Sequence, residues 1–337
     1  MKAIGFRQSL PIGDAESFIE FDLEKPTAAG HDLLVKVSAI SVNPVDFKIR
    51  QMAAVDTVLE TPKVIGWDAV GTVEAVGDKV TAFQVGDRVF YAGDLTRNGS
   101  NAEYQVVDAR IVGHAPKSLS DAEAAALPLT GLTAWESIFD RIRVHPENDR
   151  GKSVLILAGA GGVGSIAIQL AKKLTGLTVI ATASRPESEQ WCKDMGADHV
   201  VNHRDLKAEL EGIGHGQVDY ILDFVDINAY WATVVDIIKP QGHIVSITGS
   251  NDPLDLSLLK TKSVSFSWEF MYTRSMFGTA DITRQRDILN TVASLVDDGL
   301  LKTTLTTTIE GFTVDNLKQA HVMQESGKTI GKTVIVF

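Results

Sequence analysis

Ser153-Val-Leu-Ile-Leu-Ala158 runs directly into Gly159-Ala-Gly-Gly-Val-Gly164, so a G-x-G-x-x-G motif stands where a short apolar strand turns into a helix. Val163, Ile166, Ala167, Leu170, Ala171 and Leu174 follow at helical spacing, and Lys172 and Lys173 sit where cations favour a helix C-terminus. In that setting the glycines allow a tight turn and close approach to a pyrophosphate. The unpaired N–H groups and positive dipole end of the helix then hold the anion. The stretch predicts a dinucleotide-binding turn.

Outward from this turn, helix and strand alternate. Strands are predicted over Ser153–Ala158, Thr178–Ala183, His199–Asn202, Val218–Val225, His243–Thr248 and Val264–Phe270, with helices over Gly162–Leu174, Glu187–Met195 and Ala229–Ile238. That alternation reads as one parallel, doubly wound sheet of the Rossmann kind. A helix over Leu129–Phe139 precedes it; a helix over Asp281–Asp297 and strands over Thr303–Ile309 and Thr333–Phe337 follow. The first third has a different texture. Leu33–Val42, Val70–Val76 and Arg88–Ala92 read as strands punctuated by Gly77-Asp78 and Gly86-Asp87, which predicts a separate β domain.

At 337 residues the chain is long for one core, and two domains are expected. A net charge of -11 without clustered Lys and Arg argues against a nucleic-acid partner. Cys192 is the single cysteine, which rules out an intrachain disulfide and fits a reducing compartment. The start, Met1-Lys-Ala-Ile-Gly-Phe-Arg7, reads as a strand rather than a signal peptide, so a cytoplasmic location is expected. The uncharged run Ser153–Ala171 has the length of a membrane span, but its glycines and its change of pattern assign it to the nucleotide turn, and no membrane segment is predicted.

The residue ending the second strand selects the nicotinamide cofactor. A carboxylate there accepts from a free ribose hydroxyl, whereas a 2'-phosphate needs donors and cations. Here that place holds Ser184-Arg185, with no acidic residue until Glu187, so NADP(H) is expected over NAD(H). His203, ending the third strand, is placed to lie near the same phosphate.

Before the glycine turn, Val37-Ser-Ala-Ile-Ser-Val-Asn-Pro-Val-Asp46, Gly66-Trp-Asp-Ala-Val-Gly71, Val76-Gly-Asp-Lys-Val80, Gly86-Asp-Arg-Val89, Gly99-Ser-Asn-Ala-Glu-Tyr104 and Leu132-Thr-Ala-Trp135 arrive in that order; Gly196-Ala-Asp198 and Gly331-Lys-Thr-Val-Ile335 come after it. Together these resemble the medium-chain dehydrogenase/reductase superfamily along essentially the whole chain. The resemblance implies an α/β protein with a Rossmann domain at residues 126–265, inserted into a GroES-like β domain at 1–125 and 266–337. Where the metal branch carries a Cys this chain has Asn43, and where that branch carries Gly-His-Glu it has Gly66-Trp67-Asp68. A zinc site needs three or four converging donors at about 2.0–2.3 Å. The eight histidines and lone cysteine offer no such spacing, so no metal is expected. The chain resembles the zinc-free quinone oxidoreductase branch, and within it the group labelled zinc-type alcohol dehydrogenase-like.

Without a metal, an alkoxide lacks its usual Lewis acid, whereas hydride addition to a quinone or enone leaves a delocalised anion that hydrogen-bond donors can hold. The expected activity is therefore NADPH-dependent reduction of small quinones or α,β-unsaturated carbonyls. The alternatives are a metal-free alcohol or aldehyde dehydrogenase, or a non-catalytic NADPH-binding sensor. Asn43 is the first candidate for orienting substrate or nicotinamide, and Tyr91 the second donor. Asp46 is read as structural, paired with Lys48 or Arg50, and Trp67 as filling space left by the metal. By resemblance, the cofactor contacts are Thr130, Gly161, Gly162, Val163, Ser184, Arg185 and His203, with Phe224, Thr248, Phe270 and Lys332 lining the nicotinamide half. The apolar edge Ser263–Phe270 invites pairing across a two-fold axis, so a homodimer is expected.

Overall fold

The computed structural model describes residues 1–337 and divides into two units, Met1–Leu129 with Tyr272–Phe337, and Thr130–Met271. The first unit opens with strands β1 (Lys2–Phe6), β2 (Ile19–Asp22), β3 (Asp32–Ser41), β4 (Lys63–Val64), β5 (Ala69–Val76), β6 (Arg88–Tyr91), β7 (Tyr104–Asp108) and β8 (Gly113–His114), with helices α1 (Pro44–Met52) and α2 (Asp121–Ala125). The expected strands are present, but α1 was hidden in the motif Asn43-Pro-Val-Asp46. Pro44 is at home in a first helical turn, and the Asp46 carboxylate accepts the Asn43 backbone N–H at 2.5 Å.

The second unit begins within α3 (Pro128–Trp135), which continues as a π-helical segment, Glu136–Ile142. It then alternates β9 (Ser153–Leu157), α4 (Gly162–Leu174), β10 (Thr178–Thr182), α5 (Pro186–Met195), β11 (His199–Val201), α6 (Leu206–Gly212), β12 (Val218–Asp223), α7 (Ile227–Ile237), β13 (Ile238–Ser246) and β14 (Ser265–Trp268). The sheet order is β11-β10-β9-β12-β13-β14 and every pairing is parallel, the doubly wound arrangement. β9 is buried along its whole length, because helices cover both sheet faces and leave no side for polar residues. The helix α4 is buried beyond the apolar positions noted at helical spacing: Gly164–Ala171 is buried all round. α5 closes its outer side, with Trp191 Nε1 donating to Ser165 Oγ at 2.8 Å.

The chain then returns to the first unit through α8 (Thr273–Phe277), α9 (Arg284–Asp297), β15 (Leu305–Glu310), α10 (Val314–Glu325) and β16 (Lys332–Val336). The return falls after Met271 rather than at residue 266, because β14 pairs with β13 and so belongs to the parallel sheet. In the first unit a sheet runs β15-β16-β3-β5-β6-β8, with β7 on β3. Its register pairs Val334 with Ser41, Ile40 with Ala69, and Ala69 with Tyr91. The ends of β16, β3, β5 and β6 therefore lie side by side, which gathers Lys332, Asn43, Asp68 and Tyr91. No helix is long and apolar enough to cross a membrane.

Candidate active site and cofactor cradle

In the nucleotide unit, β9 ends at Ala158, held at φ +58°, a left-handed conformation that a non-glycine residue rarely keeps outside functional turns. Thr182 pins this turn: its Oγ1 accepts the Ala158 N–H at 2.9 Å and its carbonyl accepts the Gly159 N–H at 3.1 Å. The glycines divide their work. A Cβ on Gly159 would meet Ala181 Cβ at 2.7 Å and Cys192 Sγ at 3.1 Å, and one on Gly164 would stand 2.4 Å from the Ala158 carbonyl oxygen. Both are required by packing. A Cβ on Gly161 meets nothing closer than 3.4 Å, so its absence leaves a cradle a phosphate can approach. Gly161 caps α4 without a side-chain hydrogen bond, leaving the N–H groups of the first turn at Gly162 and Val163 for an anion. These residues fit a dinucleotide pyrophosphate. Cys192, beneath the turn, is buried, and burial pushes its thiol up to about 12, so it serves packing.

Ser184 and Arg185 follow β10, Ser184 exposed and Arg185 half-exposed. Arg185 Nη1 lies 3.6 Å from Glu187 Oε1, a loose surface pair. The Ala183 N–H donates to the Val201 carbonyl at 3.0 Å, which sets the ends of β10 and β11 side by side and brings His203 to the same rim. His203 Nδ1 is 3.0 Å from the Tyr230 hydroxyl, so Nε2 is the ring nitrogen left for a ligand. Thr130 is buried, Phe224 half-buried, and Phe270 is 46% exposed. Thr248 is tied down by Asp223, a residue not singled out from the sequence. Asp223 Oδ2 accepts Ser246 Oγ at 2.6 Å and Thr248 Oγ1 at 2.9 Å, while Oδ1 accepts the N–H groups of Val225 and Asp226 at 3.2 and 3.1 Å. An acidic residue directly after the apolar run Tyr220-Ile-Leu222 at the strand's end was the signal that could have found it.

In the first unit, Lys332, Asn43 and Asp68 form a closed triangle, each 3% exposed or less. The Lys332 ammonium donates to Asn43 Oδ1 in a short contact, to Asp68 Oδ2 at 3.1 Å and to the Val42 carbonyl at 3.2 Å. Asn43 Nδ2 donates to Asp68 Oδ2 at 2.8 Å and to the Ser41 carbonyl at 3.3 Å, and Asp68 Oδ1 accepts the Leu129 N–H at 2.7 Å. Burial raises the Asp68 carboxyl above the usual carboxylate range, while Lys332, the Asn43 amide and Leu129 pull it back. Both oxygens act only as acceptors, the role of the ionised form. Both Asn43 amide hydrogens are engaged within the unit, and so are all three of the Lys332 ammonium. Neither side chain is a free donor.

Around the triangle, Tyr91 is wholly buried with its hydroxyl unpartnered, and burial holds the phenol far above its ordinary range, hence protonated. Tyr272, also missed in the sequence, is buried close enough to feel Asp46, Asp68 and Asp94. Trp67 is 1% exposed and donates from Nε1 to the Asp94 carbonyl at 3.3 Å; Gly66 before it sits at φ +107°. Asp46 pairs with neither Lys48 nor Arg50, contrary to expectation. Arg50 is drawn instead to Glu325 on α10 and to the Leu10 carbonyl, because the side chain of Asp46 turns back to cap its own helix. Nowhere do three or more His, Cys, Asp or Glu side chains gather so as to hold a metal ion.

The alcohol dehydrogenase GroES-like domain family matches residues 29–117, and the zinc-binding dehydrogenase family matches residues 162–285. The zinc-type alcohol dehydrogenase-like protein of Staphylococcus epidermidis is 47% identical over 338 residues, 99% of each chain. The chain belongs to the medium-chain dehydrogenase/reductase superfamily. Within it, this oxidoreductase falls in the quinone oxidoreductase-like branch. The 2-methylene-furan-3-one reductase of Solanum lycopersicum is 31% identical over 94% of this chain and 74% of its own. Escherichia coli quinone oxidoreductase, solved with NADPH, superposes with a TM-score of 0.84 at 25% identity over the whole of both chains. The family descriptions mention zinc; Asn43, Trp67 and Asp68 here contribute an amide, an indole and a carboxylate tied to the Lys332 ammonium.

Proposed function

We propose that this protein is an NADPH-dependent reductase of quinones or α,β-unsaturated carbonyls that works without zinc. The Asn43–Asp68–Lys332 triangle carries the reading. Its only carboxylate has both oxygens engaged by donors, so the site offers no ligand set for a Lewis acid. Oxidation of an alcohol would leave a localised alkoxide without a stabilising cation, whereas a phenolate or enolate spreads its charge and needs only hydrogen-bond donors. The names of the tomato reductase and of the NADPH-bound E. coli enzyme support the same class.

NADPH, when bound, supplies the hydride. The first-turn N–H groups at Gly162 and Val163 receive the pyrophosphate, which approaches over Gly161. Ser184, Arg185 and His203 receive the 2'-phosphate, and Thr130, Phe224, Thr248 and Phe270 line the nicotinamide half. Tyr91, protonated and unpartnered, is the donor with capacity to spare for a developing oxyanion. Asn43 and Lys332 act by holding the surrounding backbone and charge in place, and the proton that completes reduction comes from solvent. The open edge of β14, with Trp268 48% exposed, is proposed to pair two chains into a homodimer, which sedimentation of the purified protein would test.

The deciding experiment is steady-state NADPH and NADH oxidation against quinone, enone and aldehyde panels. Quinones or enones should be turned over with NADPH preferred. Faster turnover of aldehydes, or equal use of NADH, would overturn the reading.

A further inference from the structure

Three oxygens converge on one ammonium inside the first unit: the Val42 carbonyl, Asn43 Oδ1 and Asp68 Oδ2 around Lys332 Nζ. Lysine carries only donors and an ionised carboxylate only acceptors, so the amide between them has one permitted orientation. With its oxygen toward Lys332 and its nitrogen toward Asp68 every contact is attractive. Flipped, the amide would set NH2 against NH3+ and a carbonyl against a carboxylate. The charges of Lys332 and Asp68 cancel, which is what permits both to be buried, and the ammonium stands between Asn43 and Asp68, two residues that by resemblance occupy places where the metal branch carries ligands.

We propose that Lys332 is the resident cation of this site, a positioning residue whose ammonium fills the space between Asn43 and Asp68, excludes divalent metal and fixes the Asn43 amide. The inference deepens the reductase reading and rests on it only for its kinetic test. A zinc ion would have to displace the ammonium, strip hydrogen bonds from both oxygens of Asp68 and find two further donors that the surrounding residues do not supply.

The wild-type protein, untagged and dialysed against zinc chloride, should retain far less than one zinc per chain by elemental analysis. Lys332→Gln keeps N–H donors on a side chain one bond shorter but removes the charge. It should lose about 10- to 100-fold in turnover, the range seen when a group orienting a site residue is lost. Its NADPH affinity, set in the other unit, should stay within about twofold. Lys332→Ala removes the equivalent of n-propylammonium, so that ion should restore turnover and raise the melting temperature, while tetramethylammonium should do neither. Stoichiometric zinc in the wild type overturns the proposal, as does wild-type turnover by Lys332→Gln. If no panel substrate is reduced by the wild type, the reductase reading fails alone, and the zinc and thermal-shift measurements still decide the role of Lys332. The zinc measurement needs no variant and stands even if both substitutions prevent folding.

Discussion

The glycine cradle and the buried triangle are built on opposite plans. The cradle draws its parts from one stretch, Ser153 to Arg185, and its working groups are backbone N–H donors exposed at a helix start. The triangle joins residues up to 289 positions apart, and its working groups are side chains whose charges cancel inside the unit. A cradle of backbone tolerates change in most side chains around it. A triangle of opposite charges depends on each of its members, because removing one leaves another charge buried without a partner.

The largest effect that would test this contrast is on stability. Asp68→Ala strands the Lys332 ammonium, and urea denaturation should report a loss of about 3–5 kcal/mol. NADPH titration of the folded fraction should be unchanged. Comparable loss of NADPH affinity would show that the two regions are not energetically separate.

The next effect lies in acid response, where two buried groups of the first unit oppose each other. His321 packs edge-on to Phe18 with ring centroids 4.9 Å apart, neither ring nitrogen has a partner, and burial drops its pKa from 6.5 to about 3. Below pH 6.5 the unfolded chain takes up a proton that the folded one refuses, so this group removes stability as pH falls toward 3. Asp46 is pushed the other way, from 3.8 to about 7, chiefly by burial. Above pH 3.8 its unfolded carboxyl releases a proton that the folded one keeps, so this group removes stability as pH rises toward 7. Between about pH 4 and 6.5 the slopes, each about 1.4 kcal/mol per pH unit, should nearly cancel. His321→Leu should leave stability falling with pH across that window, and Asp46→Asn should leave it rising. Parallel wild-type and variant curves from urea melts would refute the assignment.

The cofactor end supplies the smaller effects. Arg185→Ala should lower the NADPH-to-NADH affinity ratio by about tenfold, the loss of one charged hydrogen bond to phosphate. An unchanged ratio would remove Arg185 from phosphate recognition. Tyr230→Phe deletes the hydroxyl that orients His203 and should lower the same ratio by roughly two- to fivefold, in the range of one neutral hydrogen bond. An equal loss of NADH affinity would make Tyr230 a general support rather than a guide to the phosphate.

Legibility followed the same division. The helix predicted over Gly162–Leu174 is observed with those bounds, and the six strands around it pair in the doubly wound order. Period, punctuation and turn chemistry are local, so they survive in a single chain. Two helices were lost: α6 offers only seven residues, and α10, though twelve residues long, has two buried apolar positions among polar ones. The alternation that marks longer helices is absent there. Asn43, Tyr91 and Lys332 were named from the sequence as candidates, but the contact of Lys332 with Asn43 and Asp68 was not legible there. Asp68 was noticed for what it replaced, and Asp223 and Tyr272 went unremarked because a lone acid or phenol has no spacing to read.

By itself the sequence determined the parallel sheet, the glycine turn and the class of cofactor, since each depends on neighbours a few residues apart and on backbone conformations few residues can adopt. Only the tertiary structure decided that Lys332 meets Asn43 and Asp68, that Arg50 abandons Asp46 for Glu325, and that His321 is buried without a partner. Those outcomes depend on the antiparallel register of β16 against β3 and on the packing of α10 against α1. Such pairings of distant segments leave no periodic trace, because charge and burial act through space rather than along the chain.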